Sequence, residues 1–388
     1  MEKVYDIHVH YLFDIPMQKT VEIFAEAFED TGTEKFCFLS IPHHANGKDK
    51  LFSSENQNVK GLFLKHAFAP NGYAFAGLIH PQNEISDDER AENYLNQAVK
   101  YHKAGFDGIK MFEGHPTLSR AIGRALDDKV YDKFYSYLEE NNIPIIMHVA
   151  DPDSSWSLET ASKEAKELGR TYGDDFKSKR QLTDEVFGIL NKHPKLKLGL
   201  AHFGFMSQNI DDAHRYLSYK NTFLDLTPGG EQLINMLKNW DEWLAFFYKY
   251  QDRLIYGTDF YAFNKTKGEE DRWRKACHNR PDFLRNFFET DGEHIYINEK
   301  FTGVKIDKSL RDKLYRDNFM ALLCEPKPIS KDYFTSEIDR LIKNLPNSDS
   351  YYTKYCVFDL TNPEVKDKFI KDYVNDLTFM YNYFTKQK

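Results

Sequence analysis

Short apolar runs recur along most of the 388-residue chain, and stretches with helical periodicity separate them. Each run is rich in β-branched or aromatic residues, as buried strands are, and the stretches between them place apolar residues on one helical face. Strands that alternate with helices predict a parallel sheet, because parallel neighbours need a crossover connection. The eight predicted strands lie at residues 4–10, 34–41, 73–79, 108–112, 143–148, 196–202, 222–226 and 254–258.

Eight strand–helix units within roughly 320 residues favour an α/β fold of the (β/α)8 TIM-barrel type over an open, doubly wound sheet. No Gly-x-Gly-x-x-Gly sequence follows an early strand, so the main signal of a dinucleotide-binding fold is missing.

Two predicted connections are long, at 149–195 after the fifth strand and at 260–308 after the eighth. Loops that follow barrel strands lie on the ligand-binding face, so we expect a lid or a pocket wall there, with a surface insertion as the alternative.

The sequence after residue 325 departs from this alternation. The segment Glu325-Pro326-Lys327-Pro328 follows the last predicted barrel helix, at 309–323, and cannot continue it. Two helix-like stretches come next, at 332–344 and 363–385. We therefore predict two parts, a barrel domain over residues 1–325 and a C-terminal helical extension over residues 326–388.

Charge and apolar content exclude several classes of protein. The 52 Lys and Arg residues against 60 Asp and Glu residues give a net charge of −8 without a basic block, which argues against a nucleic-acid partner. No apolar run approaches the roughly 18–20 residues of a membrane span, and the N-terminus is too polar for a signal peptide. The four cysteines are scattered and predict reduced thiols. We expect a cytoplasmic enzyme with a small-molecule substrate, and the sequence leaves a homo-oligomer open.

Histidines and an aspartate stand at the carboxyl ends of the predicted strands. His8 and His10 close the first strand, and their two-residue spacing places both rings on one face. Two imidazoles so placed can share a metal ion at roughly 2.0–2.1 Å each. His148, His202 and Asp259 end the fifth, sixth and eighth strands, so we expect all five side chains to meet at the barrel mouth. We interpret them as a metal site, with a structural hydrogen-bond network as the alternative.

Other polar side chains near these strand ends are weaker candidates. Asp6 lies one step deeper on the face of His8 and His10, where it can fix the tautomer of a ligand imidazole or pair with Lys110. Glu113, just beyond the fourth strand, either lines the pocket or lies on an exposed turn. His80 ends the third strand and is a comparable candidate.

Three further sets of residues lie in predicted loops. His43 and His44 follow the second strand in a polar loop and are predicted to be solvated. His115 follows the fourth strand and has the same two interpretations as Glu113. Arg272 and Arg274, in the long final loop, either clamp a carboxylate or lie on a solvated surface.

The residues at these strand ends resemble the motifs of the amidohydrolase superfamily. The branch to which the sequence is most similar is the amidohydrolase-related (amidohydrolase 2) group of metal-dependent hydrolases, and the resemblance covers residues 1–325. The motifs that carry it are Tyr5-Asp6-Ile7-His8-Val9-His10, Gly108-Ile109-Lys110, Met147-His148-Val149-Ala150-Asp151-Pro152, Ala201-His202-Phe203-Gly204 and Tyr256-Gly257-Thr258-Asp259-Phe260.

The resemblance implies a (β/α)8 barrel that holds one divalent metal ion per chain, most often zinc and sometimes manganese. It implies that His202 is a further ligand or a neighbour that polarises the substrate. It also favours Lys110 as a plain, uncarboxylated lysine that supplies positive charge to an anionic substrate or to a buried ion pair. The metal ligands implied by the match are His8, His10, His148 and Asp259.

Two reactions fit such a site. The first is hydrolysis of a C–O or C–N bond in a small anionic ester, lactone or amide, with metal-activated water, Asp259 as general base and His202 polarising the carbonyl. The alternative is non-oxidative decarboxylation of an aromatic or muconate-type acid, in which Asp259 or a histidine protonates carbon. A metal-binding protein without catalysis is a third interpretation, which the complete set of expected ligands disfavours.

Overall fold

The structure is a computed structural model of the chain. It describes residues 1–11, 15–45, 51–81, 84–167, 169–229, 232–262, 270–345, 350–352, 357–359 and 361–386. For residues 52, 164, 270–274, 350–352 and 357–359 it describes the backbone alone. No helix in these ranges is both long enough and apolar enough to cross a membrane.

Eight parallel strands form a closed barrel, as the sequence predicts. Each strand pairs with its neighbour in the chain order. The last strand, β8, has two segments: the first pairs with β7 and the second pairs with β1. Because only residues 256–259 separate these two segments, the sheet closes on itself. The strands are β1 (Val4–His10), β2 (Thr33–Leu39), β3 (Gly72–Gly77), β4 (Gly108–Gly114), β5 (Ile145–Val149), β6 (Leu198–Leu200), β7 (Thr222–Asp225) and β8 (Leu254–Ile255, Phe260–Tyr261).

Helices occupy the connections between the strands and the region after them. The α-helices are α1 (Met17–Thr31), α2 (Gln57–Ala67), α3 (Asp87–Ala104), α4 (Pro116–Ile122), α5 (Asp132–Glu140), α6 (Lys163–Glu167), α7 (Lys179–Lys192), α8 (Ile210–Leu217), α9 (Gln232–Met236), α10 (Trp240–Lys249), α11 (Glu270–Glu289), α12 (Lys308–Asp312), α13 (Asn318–Leu323), α14 (Lys331–Lys343) and α15 (Pro363–Lys386). Short 3₁₀ or π turns lie at Lys129–Tyr131, Asp153–Trp156, Ala201–Phe205, Leu237–Asn239, Gln251–Arg253 and Lys313–Asp317.

Three antiparallel hairpins lie outside the barrel sheet in the described part of the chain. The first pairs His43–Ala45 with Leu51–Ser53, the second pairs Glu293–Tyr296 with Glu299–Thr302, and the third pairs Ser350–Tyr352 with Val357–Asp359. The second hairpin and helix α11 lie in the long connection that follows β8. The long connection after β5 holds α6 and α7.

Residues in the left-handed region lie at the end of one barrel strand and between the two segments of another. β6 ends at Leu200 because His202, Phe203, Gly204 and Phe205 adopt φ values of 53° to 58°, in the left-handed region. The first segment of β8 ends at Ile255, and Asp259 has a φ of 54°. L-residues rarely adopt this conformation, so both strand ends turn sharply at the barrel mouth.

An aromatic cluster fills the space between α1 and β2. Phe28 stacks on Phe36 with ring centroids 3.9 Å apart, and Phe24 meets Phe38 edge-on at 5.2 Å. Phe68, just after α2, packs against all four rings. Each aromatic ring removes a large apolar area from water, so this cluster fixes the first strand–helix unit against the barrel.

The two C-terminal helices pack against the outside of the barrel. Asp376 of α15 forms a buried ion pair with Lys60 of α2, at 2.8 Å, and accepts a hydrogen bond from the backbone N–H of Met17. Phe384 of α15 stacks on Phe334 of α14 at 4.2 Å. The extension is therefore held by a paired charge as well as by apolar contact, and its predicted boundary at residue 326 stays a prediction.

The hydrogen bonds of Asp107 allow a test of how the C-terminal extension is attached to the barrel. This buried carboxylate accepts two hydrogen bonds from Lys65 Nζ, at 2.8 and 2.7 Å, and one each from the backbone N–H groups of Ala74 and Lys327. Asp107→Ala leaves the Lys65 ammonium buried without its partner, so we expect a loss of about 3–5 kcal/mol in the free energy of unfolding. Urea denaturation measures it.

The matched control is Asp252→Ala. Asp252 is 74% exposed and forms a single ion pair with Lys313, so its loss should leave the urea midpoint unchanged. Equal midpoints for the two variants would contradict the role of Asp107.

Candidate functional site

Two histidines of β1 point the same ring nitrogen into the barrel. His8 and His10 are 0% and 4% exposed. His8 Nδ1 lies 2.8 Å from Asp225 Oδ2, and His10 Nδ1 lies 2.8 Å from the carbonyl oxygen of Leu39. A carboxylate and a carbonyl only accept hydrogen bonds, so each Nδ1 carries the proton and each Nε2 presents its lone pair. The two Nε2 atoms lie 3.0 Å apart, with their lone pairs facing one another.

Asp259 brings a third donor atom to the same point. Its Oδ1 lies 3.7 Å from His8 Nε2 and 3.5 Å from His10 Nε2. These separations, with the 3.0 Å between the two nitrogens, bracket the ~3.3–3.4 Å between two ligands of a tetrahedral zinc ion with bonds of roughly 2.0–2.1 Å. Facing lone pairs repel unless a cation lies between them. The three residues, here called the β1–β8 group, therefore fit a divalent metal ion.

Asp225, at the end of β7, positions two of the site histidines. Its Oδ2 accepts from His8 Nδ1, and its Oδ1 accepts from the backbone N–H groups of His202, at 2.7 Å, and of Thr227, at 3.2 Å. Burial raises the pKa of Asp225, whereas the charge of Lys110 and the hydrogen bond from the backbone N–H of His202 oppose that rise. Asp225 is not among the residues predicted for the site, although it is the one charged residue in the apolar run 222–226.

Arg280 of α11 holds Asp259 in its left-handed conformation. The Arg280 guanidinium donates both to the carbonyl oxygen and to Oδ2 of Asp259. This contact leaves Oδ1 directed at the two histidines. Arg272 and Arg274, the two arginines of this loop that the sequence offers as candidates, have side chains that lie outside the described residues.

Asp6 supports the backbone of the site rather than a ligand ring. It accepts hydrogen bonds from the backbone N–H of His8, at 2.9 Å, and from the N–H and Oγ1 of Thr258, at 3.1 and 2.5 Å. Burial raises its pKa to about 7. The expectation that Asp6 contacts a ligand imidazole or Lys110 is corrected. Asp6 lies two residues before His8 on β1, too deep in the barrel to reach the His8 ring, and Asp225 makes that contact instead.

His202 lies beside the β1–β8 group as a neutral ring. Its centroid is 5.2 Å from that of His8, and its Nδ1 is buried without a hydrogen-bond partner among the described residues. Burial lowers its pKa to about 3, so the ring is uncharged at neutral pH. Gly229 permits its position, because a Cβ there would lie 2.7 Å from the Cβ of His202.

His148 lies next to His202 and close to Asp151, and its predicted role as a metal ligand stays a prediction. Its Nε2 lies 3.7 Å from Asp151 Oδ1, and the ligand atoms of His115, His148 and Asp151 lie within 4.8 Å of one another. Burial lowers the pKa of His148 to about 4. Of the four predicted ligands, the structure brings His8, His10 and Asp259 together and places His148 5.0 Å from His202, centroid to centroid.

Lys110 is a buried ammonium in the wall of the barrel. It is 1% exposed, and its Nζ has no hydrogen-bond partner among the described residues. Burial lowers its pKa to about 8, against the opposing charges of Asp225 and Asp259. The predicted ion pair is thus not formed within the described chain, and the charge stays available to the site.

The remaining candidates form a buried polar network next to the site. His80 Nε2 lies 2.9 Å from Glu113 Oε1, and His80 Nδ1 lies 2.8 Å from the hydroxyl of Tyr94. Glu113 is therefore not on an exposed turn. The expectation that His43 and His44 are solvated is also wrong: they are 2% and 8% exposed, because the first hairpin folds them inward and His43 Nε2 accepts from the N–H of His80.

Substitution of Asp225 tests whether this residue supports the metal site. In Asp225→Asn, an amide faces both the Nδ1–H of His8 and the N–H of His202. Its –NH2 group cannot accept a hydrogen bond from either of them. We expect metal affinity to fall about 10–100-fold, measured by zinc titration against a competing chelator. The control is Asp291→Asn, an exposed aspartate paired with Lys305. Equal affinities in the two variants would show that Asp225 does not support the metal site.

Comparison with known proteins agrees with this fold. The chain resembles an uncharacterised TIM-barrel protein from Bordetella bronchiseptica (13% identity, TM-score 0.51, 83% of this chain and 98% of that chain). It also resembles a manganese-containing dihydroxybenzoic acid decarboxylase from Polaromonas sp. JS666 (14%, 0.48, 83% and 97%) and a 4-oxalomesaconate hydratase from Rhodopseudomonas palustris (13%, 0.48, 88% and 99%).

A search of curated proteins gives no match. A protein-family model does match: its description is Amidohydrolase, and it covers residues 68–322. That match spans more than half of the chain and includes β3 to β8. The chain therefore belongs to the amidohydrolase family of metal-dependent enzymes.

Proposed function

We propose that the protein is a metal-dependent hydrolase that cleaves a C–O or C–N bond in a small, anionic ester, lactone or amide. The observation that carries the proposal is the convergence of two Nε2 lone pairs, from His8 and His10, with Asp259 Oδ1 inside an amidohydrolase barrel. Two imidazoles and a carboxylate are a donor set that suits zinc, so we propose zinc at the β1–β8 group, with manganese as the next choice.

Asp259 is the general base in this proposal. A divalent metal at such a site supplies Lewis acidity and lowers the pKa of water. Asp259 directs Oδ1 toward the Nε2 atoms of His8 and His10, and its Oδ2 pairs with the Arg280 guanidinium. The positive charge of Arg280 favours the ionised form of the carboxylate. An ionised carboxylate beside the reacting water can take its proton and later return it to the leaving group.

His202 and Lys110 are proposed to act on the substrate. His202 is a neutral imidazole with a buried, unpartnered Nδ1, and one of its nitrogens can donate to the oxygen on which negative charge develops. The Lys110 ammonium, whose Nζ has no hydrogen-bond partner among the described residues, adds a positive potential inside the barrel. Both features favour a substrate that carries or develops negative charge.

A substrate screen separates hydrolysis from decarboxylation. The zinc-loaded or manganese-loaded protein is assayed with esters, lactones and amides of mono- and dicarboxylic acids, and with hydroxybenzoic acids, for release of acid and of carbon dioxide. We expect acid release without carbon dioxide, because the group that protonates carbon must be protonated before the reaction starts, whereas Arg280 favours the ionised form of Asp259 and burial keeps His202 uncharged. Carbon dioxide from a hydroxybenzoic or unsaturated acid would overturn the hydrolase in favour of a decarboxylase.

Asp259→Asn should separate catalysis from metal binding. The variant loses the proton acceptor but keeps both imidazoles, so we expect turnover to fall about 10²–10⁴-fold while metal remains bound. His8→Ala combined with His10→Ala should remove the metal itself. Turnover and metal content are measured on the same preparations, with Asp291→Asn as control, and full activity of Asp259→Asn would exclude Asp259 as the base.

Gly229→Ala should test His202 without changing its chemistry. The added Cβ would lie 2.7 Å from His202 Cβ and must displace that ring. We therefore expect a lower kcat with unchanged metal content. In the control, Gly173→Ala, the nearest atom to the added Cβ is the Asp175 carboxylate at 3.3 Å, on an exposed side chain that can move. Equal kcat values for the two variants would argue against a role of His202 in turnover.

A further inference from the structure

A small cavity lies at the carboxyl ends of β2, β3 and β4. Its volume is about 10 Å³, which is close to what one water molecule needs. Two charged side chains of β4 line it, Lys110 and Glu113, and they are 1% and 5% exposed. Most of the remaining wall is apolar. The cavity therefore brings a buried ammonium and a buried carboxylate to one small space.

A bulge in β4 explains how both charges reach this cavity. Residues three apart on a regular strand point to opposite faces of the sheet. Between Met111 and Gly114, however, the register shifts, so that β4 advances three residues while β5 advances two. The extra residue of a bulge re-aims the side chains around it. Glu113 lies inside the bulge and can therefore share the cavity with Lys110.

The two charged groups do not bind each other. Glu113 Oε1 lies 2.9 Å from His80 Nε2, and His80 Nδ1 lies 2.8 Å from the Tyr94 hydroxyl, which fixes the carboxylate. Glu113 Oε2 and Lys110 Nζ have no hydrogen-bond partner among the described residues. The charge of Lys110 interacts with Asp259 as well as with Glu113, so it lies within electrostatic reach of the β1–β8 group. A buried donor and a buried acceptor without partners cost free energy, which a polar group between them would recover.

We propose that this cavity binds a neutral hydroxyl group of the substrate. A hydroxyl oxygen can accept from Lys110 Nζ and donate to Glu113 Oε2 at the same time. A carboxylate has no proton to donate to Glu113, and an ammonium cannot accept from Lys110. A water molecule supplies the same two hydrogen bonds, and a substrate hydroxyl that reproduces them can replace it. The inference rests on the proposed function and deepens it, because it adds a hydroxyl group to the anionic substrate.

Pairs of small acids that differ by one hydroxyl test the proposal. They are glycolate and acetate, β-hydroxypropionate and propionate, and γ-hydroxybutyrate and butyrate, so the distance from carboxylate to hydroxyl varies. Each acid is titrated calorimetrically into the full-length protein in buffer that contains zinc. We expect the hydroxy acid of at least one pair to bind about 10–100-fold more tightly, as hydrogen bonds to charged groups allow. In a crystal of that complex, the hydroxyl oxygen should lie about 2.5–2.9 Å from both Lys110 Nζ and Glu113 Oε2.

Two variants separate this subsite from direct binding of the hydroxyl to the metal. Glu113→Ala removes the acceptor and Lys110→Met removes the donor, so each should bring the two affinities of the pair within about twofold of each other. The affinity of Glu113→Ala for the acid without the hydroxyl should not fall, which shows that this variant has folded. The matched control is Glu299→Ala, at an exposed residue of the second hairpin, and it should keep the full preference.

Three outcomes would overturn the subsite. They are equal binding within every pair, a hydroxyl preference that survives both Glu113→Ala and Lys110→Met, and a crystal in which water stays between Lys110 and Glu113 while the hydroxyl lies elsewhere. The crystal uses the wild type, so it decides the matter even if a variant does not fold. None of these measurements requires turnover, so failure of the proposed hydrolysis appears separately, in the substrate screen.

Discussion

The buried carboxylate of Asp225 connects the chemistry of the site to its backbone. One oxygen fixes the His8 ring through Nδ1, and the other holds the N–H of His202 at the start of the left-handed turn after β6. The first contact fixes a tautomer: with the proton on Nδ1, His8 Nε2 can only present a lone pair to the barrel mouth. The second contact sets where the His202 ring lies. A single residue at the end of β7 therefore positions side chains from two other strands.

The same mouth contains the strained backbone of the barrel. His202 and Asp259 both have positive φ values, which cost roughly 1–2 kcal/mol per residue for L-amino acids. Each is held by a charged partner, the buried Asp225 for His202 and the partly buried Arg280 for Asp259, so the strain is offset by charge-assisted hydrogen bonds. Strained residues often cluster at functional sites, where surrounding contacts over-determine them. Here the strain directs two side chains at one point.

The fold could be predicted from the periodicity and local spacing of residues in the sequence. The family match confirms the resemblance to the amidohydrolases. The eight strands could be predicted because each is a short apolar run, and the His-x-His spacing of His8 and His10 places both rings on one face by strand geometry alone. The predicted ends of the strands were less accurate. The local sequence around His202 and Asp259 does not indicate a left-handed turn, because that turn depends on partners far along the chain.

The partners of the site residues could not be read from the sequence. Asp225 and Arg280 contact residues from other strands, and their roles depend on which strands the barrel makes adjacent. Likewise, the loop histidines His43 and His44 look solvated until the hairpin that buries them is seen. For His148, strand position predicts a metal ion shared with His8 and His10, which stays a prediction. The approach of its Nε2 to Asp151, at 3.7 Å, could not be read from the sequence.

Anomalous diffraction at the zinc edge, from crystals of the zinc-loaded protein, tests the central claim most directly. The account predicts a peak bonded to His8 Nε2, His10 Nε2 and Asp259 Oδ1 at about 2.0–2.2 Å, with His8 Nδ1 still hydrogen-bonded to Asp225. A crystal with no peak between these three atoms, or with His8 bound through Nδ1 and turned away from Asp225, would contradict it.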